Sequence, residues 1–247
     1  MREAGEPKTL EQWLRSAPDL AAERIPDGGW HLRWRGQAAG GSVAEALGKA
    51  VRRLTADKAA DGHPDFDPLA RAGPEDLLLF DLETLGLGNA AVFLIGCLTM
   101  GEGGPRLEQF LAEDYSQESS IIRGFAGRMR GRGVLVSFNG KSFDLPLLAG
   151  RAGVWRVELP GVGSLHHVDI LYECRRRWGA SLPDCRLQTV ERCICGRLRT
   201  GDVPGAQIPE VYHEFVQTGD ARLVAPILRH NAQDLVTVAE VLRRCLE

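Results

Sequence analysis

The sequence predicts an α/β sandwich. A short, continuous apolar run at residues 77–80 (Leu-Leu-Leu-Phe) and a mostly apolar one at 134–138 (Val-Leu-Val-Ser-Phe) have the length and composition of central strands covered on both faces. Helical spacing fills residues 119–130, residues 142–151 and nearly all of the chain after Ile170. Strands first, with helices between and after them, pack as a sheet flanked by helices.

In chain order, residues 1–76 read as a small N-terminal extension and linker. Thr9 with Gln12, and Ser42 with Glu45, have capping-box spacing and open two short helices, the second continuing through Val43, Ala46, Leu47, Val51 and Leu54. Between them Trp30, Leu32 and Trp34 alternate with His31 and Arg33, the pattern of a short strand, and the tryptophans read as packing residues. Residues 56–76 turn polar, rich in Asp, Pro and Gly, and read as a linker.

The main domain, residues 77–247, opens on the first buried strand. A second strand spans 91–100, and a third, 106–112, alternates and should keep one face wet. Ser142 is placed to cap a helix, and residues 167–170 form a short strand. Residues 201–209 are a Gly/Pro-rich stretch, and Asp220 caps the last long helix, whose first turns Pro226 should kink or restart.

Composition is that of an ordinary globular chain: 247 residues, 44% hydrophobic and 26% charged. The first residues carry no apolar signal segment, and no apolar run approaches the roughly 20 residues a membrane helix needs. A cytoplasmic protein without a membrane partner is expected. The net charge of -3 gives no global attraction for nucleic acid, so such a partner needs a local basic surface or bound cations. Six cysteines in such a chain read as reduced thiols, and Cys185, Cys193 and Cys195 lack paired Cys-x-x-Cys spacing, so small buried side chains are expected there rather than zinc.

Four acids carry the chemistry. Asp81 and Glu83 are two apart on the first buried strand, so their side chains share a face with Cα atoms roughly 7 Å apart. Asp-x-Glu alone arises by chance about once in 300 residues. Its place at the carboxyl end of a central strand is what makes it informative, because ligands of open α/β sheets collect there. Asp144 follows the second buried strand through Asn139-Gly-Lys141 and lies in a helix's first turn, where the macrodipole favours negative charge. Asp234 lies one turn from His230 on the last helix, on the stripe that holds Ile227 and Val238.

Each of these acids has a bland reading: chance, a helix-end Asp, a satisfied buried pair. Converging carboxylates repel unless a shared cation offsets the charge. Four carboxylates and a histidine suit two-metal phosphodiester hydrolysis with Mg²⁺ or Mn²⁺, and hard oxygen ligands disfavour zinc. No nucleophile elbow, Walker loop or dinucleotide fingerprint competes.

Asp-Leu-Glu-Thr at 81–84, Asn-Gly-Lys-Ser-Phe-Asp at 139–144 and His-Asn-Ala-Gln-Asp at 230–234 resemble the three exonuclease motifs of the DEDD branch of the ribonuclease-H-like superfamily. Phe93-Leu-Ile-Gly96, His167-Val-Asp-Ile170, Leu187-Gln-Thr-Val-Glu191 and Gly201-Asp-Val-Pro-Gly205 are similar to segments of the bacterial YprB-like family. The resemblance implies a five-stranded mixed sheet with its second strand antiparallel, flanked by helices. It implies Asp81, Glu83, Asp144 and Asp234 as ligands of two divalent cations, with His230 at the general-base position. It also implies substrate contacts from Thr84, Asn139 and Lys141. Relatives of the proofreading type place the histidine five residues before the last aspartate, whereas here it is four before, and Thr84 is followed by Leu85 rather than a second threonine. Asp169 reads as the cap of the following helix.

The expected activity is a Mg²⁺- or Mn²⁺-dependent exonuclease acting on DNA, on single strands or strand ends, with RNA as the second substrate, in repair or nucleic-acid turnover. A chain without a motor motif cannot unwind duplexes, so a helicase is a plausible partner. The competing readings are a catalytically silent nucleic-acid-binding module and a structure-specific endonuclease.

Overall fold

The computed structural model describes residues 9–36, 40–53, 63–86, 88–101 and 103–247. One mixed sheet organises them. Its strands are β1 (Leu20–Arg24), β2 (Trp30–Trp34), β3 (Leu77–Thr84), β4 (Val92–Gly101), β5 (Gly104–Leu111), β6 (Val134–Ser137) and β7 (His166–Asp169), in the order β1-β2-β5-β4-β3-β6-β7. β3, β6 and β7 run parallel, and β4 is antiparallel to both β3 and β5. These five are the strands the resemblance implies. Two more, β1 and β2, extend the sheet beyond β5, so the sheet has seven strands rather than five.

β3 forms because Leu77, Leu78, Leu79 and Phe80 each bury their side chains, and a strand buried on both faces needs no alternation. β5 departs from the expected alternation. Leu107 through Leu111 are all buried, Glu108 and Gln109 included, because β2 pairs along one edge and helices cover both faces.

The helices are α1 (Leu10–Ser16), α2 (Gly41–Arg53), α3 (Glu118–Met129), α4 (Asp144–Trp155), α5 (Ile170–Trp178), α6 (Leu187–Val190, continuing as a π turn to Cys195), α7 (Ile208–Thr218) and α8 (Ala221–Leu246). Thr9 makes the capping box with Gln12 that opens α1, and Asp220 caps α8. Two expected caps differ. α2 starts at Gly41, which puts Ser42 inside its first turn, and α4 starts at Asp144 with Phe143, not Ser142, at its cap. Leu54 lies outside the described residues. α8 continues through Pro226 without ending, and it rests on β3 and β4 while α2 packs against it.

The stretch read as a linker is only partly one. Residues 63–76 form two 3₁₀ turns that bury Phe66, Leu69 and Pro74, and the first of these lies against β7. The cysteines also divide. Cys97, Cys174 and Cys245 are buried as small apolar side chains, but Cys193 is exposed and Cys185 and Cys195 are half-buried. No described helix is long and apolar enough to cross a membrane.

Candidate active site

Three elements bring the predicted acids together at the carboxyl end of β3. Asp81 and Glu83 sit two apart on β3, Asp144 opens α4 after the β6 turn, and Asp234 projects from α8, which packs against β3. Asp144 Oδ1 accepts the Leu82 backbone N–H at 3.3 Å, which places its carboxylate against the strand carrying the other two. The side chain of Asn231, one turn before Asp234, donates to Asp81 Oδ2 at 2.7 Å.

The electrostatics record the convergence. Burial, then the charges of Asp234, Glu83 and Asp144, push the Asp81 carboxyl well above the usual range, with His230 opposing. Glu83 is raised in the same way by burial and by Asp234, Asp144 and Asp202, with Arg199 opposing. Burial pushes Asp144 up to about 6, with Asp169 and Asp234 adding to the rise and backbone N–H donors resisting it. Three carboxylates that hold protons this tightly are short of positive charge.

Such counter-charge as they have comes from the chain itself. Arg199 Nη2 stands 2.5 Å from Asp234 Oδ1, off the hydrogen-bonding line, and the same guanidinium donates to Glu191 Oε2 at 2.5 Å and to Asp202 Oδ2 at 3.3 Å. His230 is buried, with Nδ1 2.7 Å from Asp202 Oδ1 and Nε2 3.4 Å from Asp234 Oδ2. Burial alone would lower its proton affinity, but Asp234 and Asp202 outweigh that and raise it to about 9. At neutral pH both ring nitrogens therefore carry hydrogen and face carboxylates.

The expected substrate residues also have internal partners. Thr84 Oγ1 donates to the Gly86 carbonyl at 2.8 Å, Asn139 holds a left-handed backbone (φ 67°), and Lys141 Nζ pairs with Asp65 Oδ2 at 2.6 Å. Beside Asp144 opens a cavity of about 550 Å³ lined by Leu82, Thr84, Phe143, Pro146 and Leu147, in which Phe143 is 56% exposed.

Whether the donor set suits a divalent cation turns on chemistry and on reach. The chemistry fits, since the donors are hard carboxylate oxygens with unmet negative charge. The reach is not preset, because among the described residues no three Asp, Glu, His or Cys side chains stand ready around one point. Asp234, held by Arg199 and His230, is the acid whose partners would have to change.

Residues 78–246 match the family described as the RNase H superfamily. The chain belongs to that superfamily. Within it the chain is YprB-like, 31% identical over 166 residues to YprB of Bacillus subtilis, a match covering 66% of this chain and 40% of that protein. The chain thus spans well under two thirds of that relative's length. Its fold is similar to part of the family B DNA polymerase of the archaeon Pyrobaculum calidifontis, with a TM-score of 0.56 and 21% identity over 68% of this chain and 24% of the polymerase. RNase H superfamily proteins generally hydrolyse phosphodiester bonds.

Sequence reasoning missed several residues of this RNase H-like site. Arg199, beside Asp234, and Asp202, beside His230, lie in a loop that joins the site only through the tertiary fold, although Gly201-Asp-Val-Pro-Gly205 stands out as a segment. Asp169 caps α5 through the Leu171 N–H as expected. It also accepts the backbone N–H groups of Asn139 and Lys141, and so holds the loop that leads to Asp144.

Proposed function

We propose that the protein is a divalent-cation-dependent exonuclease acting on DNA, in repair or nucleic-acid turnover in the cytoplasm. The observation that supports it most is the cluster of Asp81, Glu83 and Asp144 with unmet negative charge at the end of the central strand. Mg²⁺ or Mn²⁺ held by Asp81, Glu83, Asp144 and Asp234 would offset charge on the phosphoryl oxygens and ease deprotonation of the attacking water.

The chain's own residues do the rest. The cavity beside Asp144 has room for one nucleoside, with exposed Phe143 as a face for base stacking. Thr84 on its rim would bind the terminal sugar edge, and Asn139 and Lys141, on the loop before Asp144, would meet the following phosphate. Lys141 reaches that phosphate by leaving Asp65. His230 serves as general base when Asp234 turns from it, because losing one of its two carboxylate partners brings its proton affinity back toward neutrality. A helicase that opens duplexes is the protein partner this reading suggests.

End-labelled single-stranded DNA with Mn²⁺ tests the reading. Wild type should release mononucleotides, and Asp81→Asn should release none; equal behaviour of the two proteins contradicts it. A second reading, a silent nucleic-acid-binding module, draws on the hold of Arg199 and His230 on Asp234. It predicts DNA binding without any product. Internal fragments in place of mononucleotides would indicate an endonuclease.

A further inference from the structure

A buried line of side-chain amides runs from the N-terminal strand β2 to the first of the acids. In β2, Trp34 Nε1 donates to Gln109 Oε1 on β5 at 2.7 Å. Gln109 Nε2 donates to the Leu228 carbonyl and to Asn231 Oδ1, each at 2.8 Å. Asn231 Nδ2 then donates to Asp81 Oδ2 at 2.7 Å and to the Asp81 carbonyl at 3.3 Å. Gln109 and Asn231 are wholly buried and Trp34 nearly so.

The direction of this line is forced. An indole N–H can only donate, so Gln109 must turn its oxygen toward Trp34. Its nitrogen then faces the Leu228 carbonyl, which can only accept, and Asn231 Oδ1. With its oxygen so engaged, Asn231 has only N–H groups to offer Asp81. Neither amide can flip without setting two acceptors, or two donors, against each other in a dry interior, where an unmade hydrogen bond is costly.

The sheet leaves room for the arrangement at one residue. Gly96 on β4 lies in register between Asp81 on β3 and Gln109 on β5. A Cβ at Gly96 would stand 2.0 Å from Asn231 Oδ1. This gives a physical reason for the glycine of Phe93-Leu-Ile-Gly96.

We propose that Trp34, Gln109 and Asn231 form a positioning relay through which the N-terminal extension fixes the orientation of the Asp81 carboxylate. Trp34 lies outside the segment matched to the RNase H superfamily, residues 78–246, so the extension becomes a working part of the site. The consequence for cation binding rests on the function proposed above, whereas the relay itself does not.

Two measurements on the full chain test it. The first follows the side-chain amide protons of Asn231 by ¹⁵N NMR, the signal being assigned by its loss in Asn231→Ala. Wild type should show them protected from exchange. Trp34→Phe, which keeps the ring and removes the donor, and Gln109→Met, of similar volume, should each shift them and speed their exchange. The second titrates Mn²⁺ by calorimetry. Asn231→Ala should weaken binding about 10- to 100-fold, as loss of an outer partner of a metal ligand does. Adding Trp34→Phe to it should change little, because the relay is already cut.

Asn231 protons indifferent to both Trp34→Phe and Gln109→Met would overturn the relay, as would Mn²⁺ effects of Trp34→Phe and Asn231→Ala that multiply independently. If wild type binds no Mn²⁺, the nuclease reading fails, and the amide protons alone decide whether the relay exists.

Discussion

Glu108 and Asp81 are acids of one sheet, on β5 and β3 with β4 between them, yet the fold treats them oppositely. Glu108 on β5 accepts two N–H groups from Arg128 at 2.8 and 2.9 Å and faces His31 Nε2 at 2.7 Å. Burial alone would raise its proton affinity, but those partners prevail and hold it down at about 2. Asp81 has a neutral amide from Asn231 and three carboxylates around it, and burial and those charges push it well above the ordinary range. One acid is part of the scaffold. The other keeps a deficit of positive charge that the chain does not fill, and on the function proposed above a divalent cation fills it.

The sharpest way to break this contrast is to remove one charge from each region. Asp81→Asn should abolish DNA digestion, the largest effect expected, while the metal-free protein melts no lower than wild type because a repulsion has been relieved. Glu108→Gln should do the reverse. It leaves the Arg128 guanidinium without its carboxylate and should cost about 3 kcal/mol of stability by urea denaturation. Equal losses of stability in the two variants would erase the distinction between them.

A smaller effect concerns pH. Glu108 has a depressed folded value, so its contribution to stability is present above the usual glutamate range near 4.3 and is lost as pH falls toward 2. Asp144 has a raised value of about 6, so its contribution is present below the usual aspartate range and is lost as pH rises through about 6. The melting temperature of metal-free wild type should therefore decline between pH 4 and pH 7. Asp144→Asn should flatten that decline by an amount equivalent to about 1–3 kcal/mol, and Glu108→Gln should leave it in place. An unchanged slope in Asp144→Asn would contradict the raised value.

The smallest effect belongs to the contact between the N-terminal segment and the loop that carries Lys141. Asp65→Asn removes the partner of Lys141, an ion pair worth roughly 0.2–1 kcal/mol. Stability should change by no more than that, while single-stranded DNA binds more tightly in fluorescence anisotropy at low salt, the difference shrinking as salt is added. Unaltered DNA affinity would mean that Lys141 does not meet the backbone.

How much of this could be read beforehand depends on whether a signal is local. β3 and its Asp81 and Glu83 were legible because a four-residue apolar run ending in acids has few other uses. Asp220 and Thr9 announced their helices through side-chain chemistry that acts within three residues. β1 was not legible: Leu-Ala-Ala-Glu-Arg has little strand propensity and is held by pairing with β2. The alternation of β5 misled because its wet-looking positions, Glu108 and Gln109, meet partners from α3, α8 and β2. Ser142 looked like a cap but lies short of the helix it precedes. Asn231 and Asp202 lie inside motifs that stand out in the sequence, but their partners are 28 to 150 residues away, and no local pattern encodes those contacts.

Calorimetric titration of the metal-free protein with Mn²⁺ at pH 7 tests the central claim most directly. The account predicts a saturable isotherm for wild type. For Asp81→Asn it predicts a loss of affinity larger than the roughly 10- to 100-fold that an outer partner commands. No heat of binding up to millimolar Mn²⁺, or superimposable isotherms for the two proteins, would contradict it.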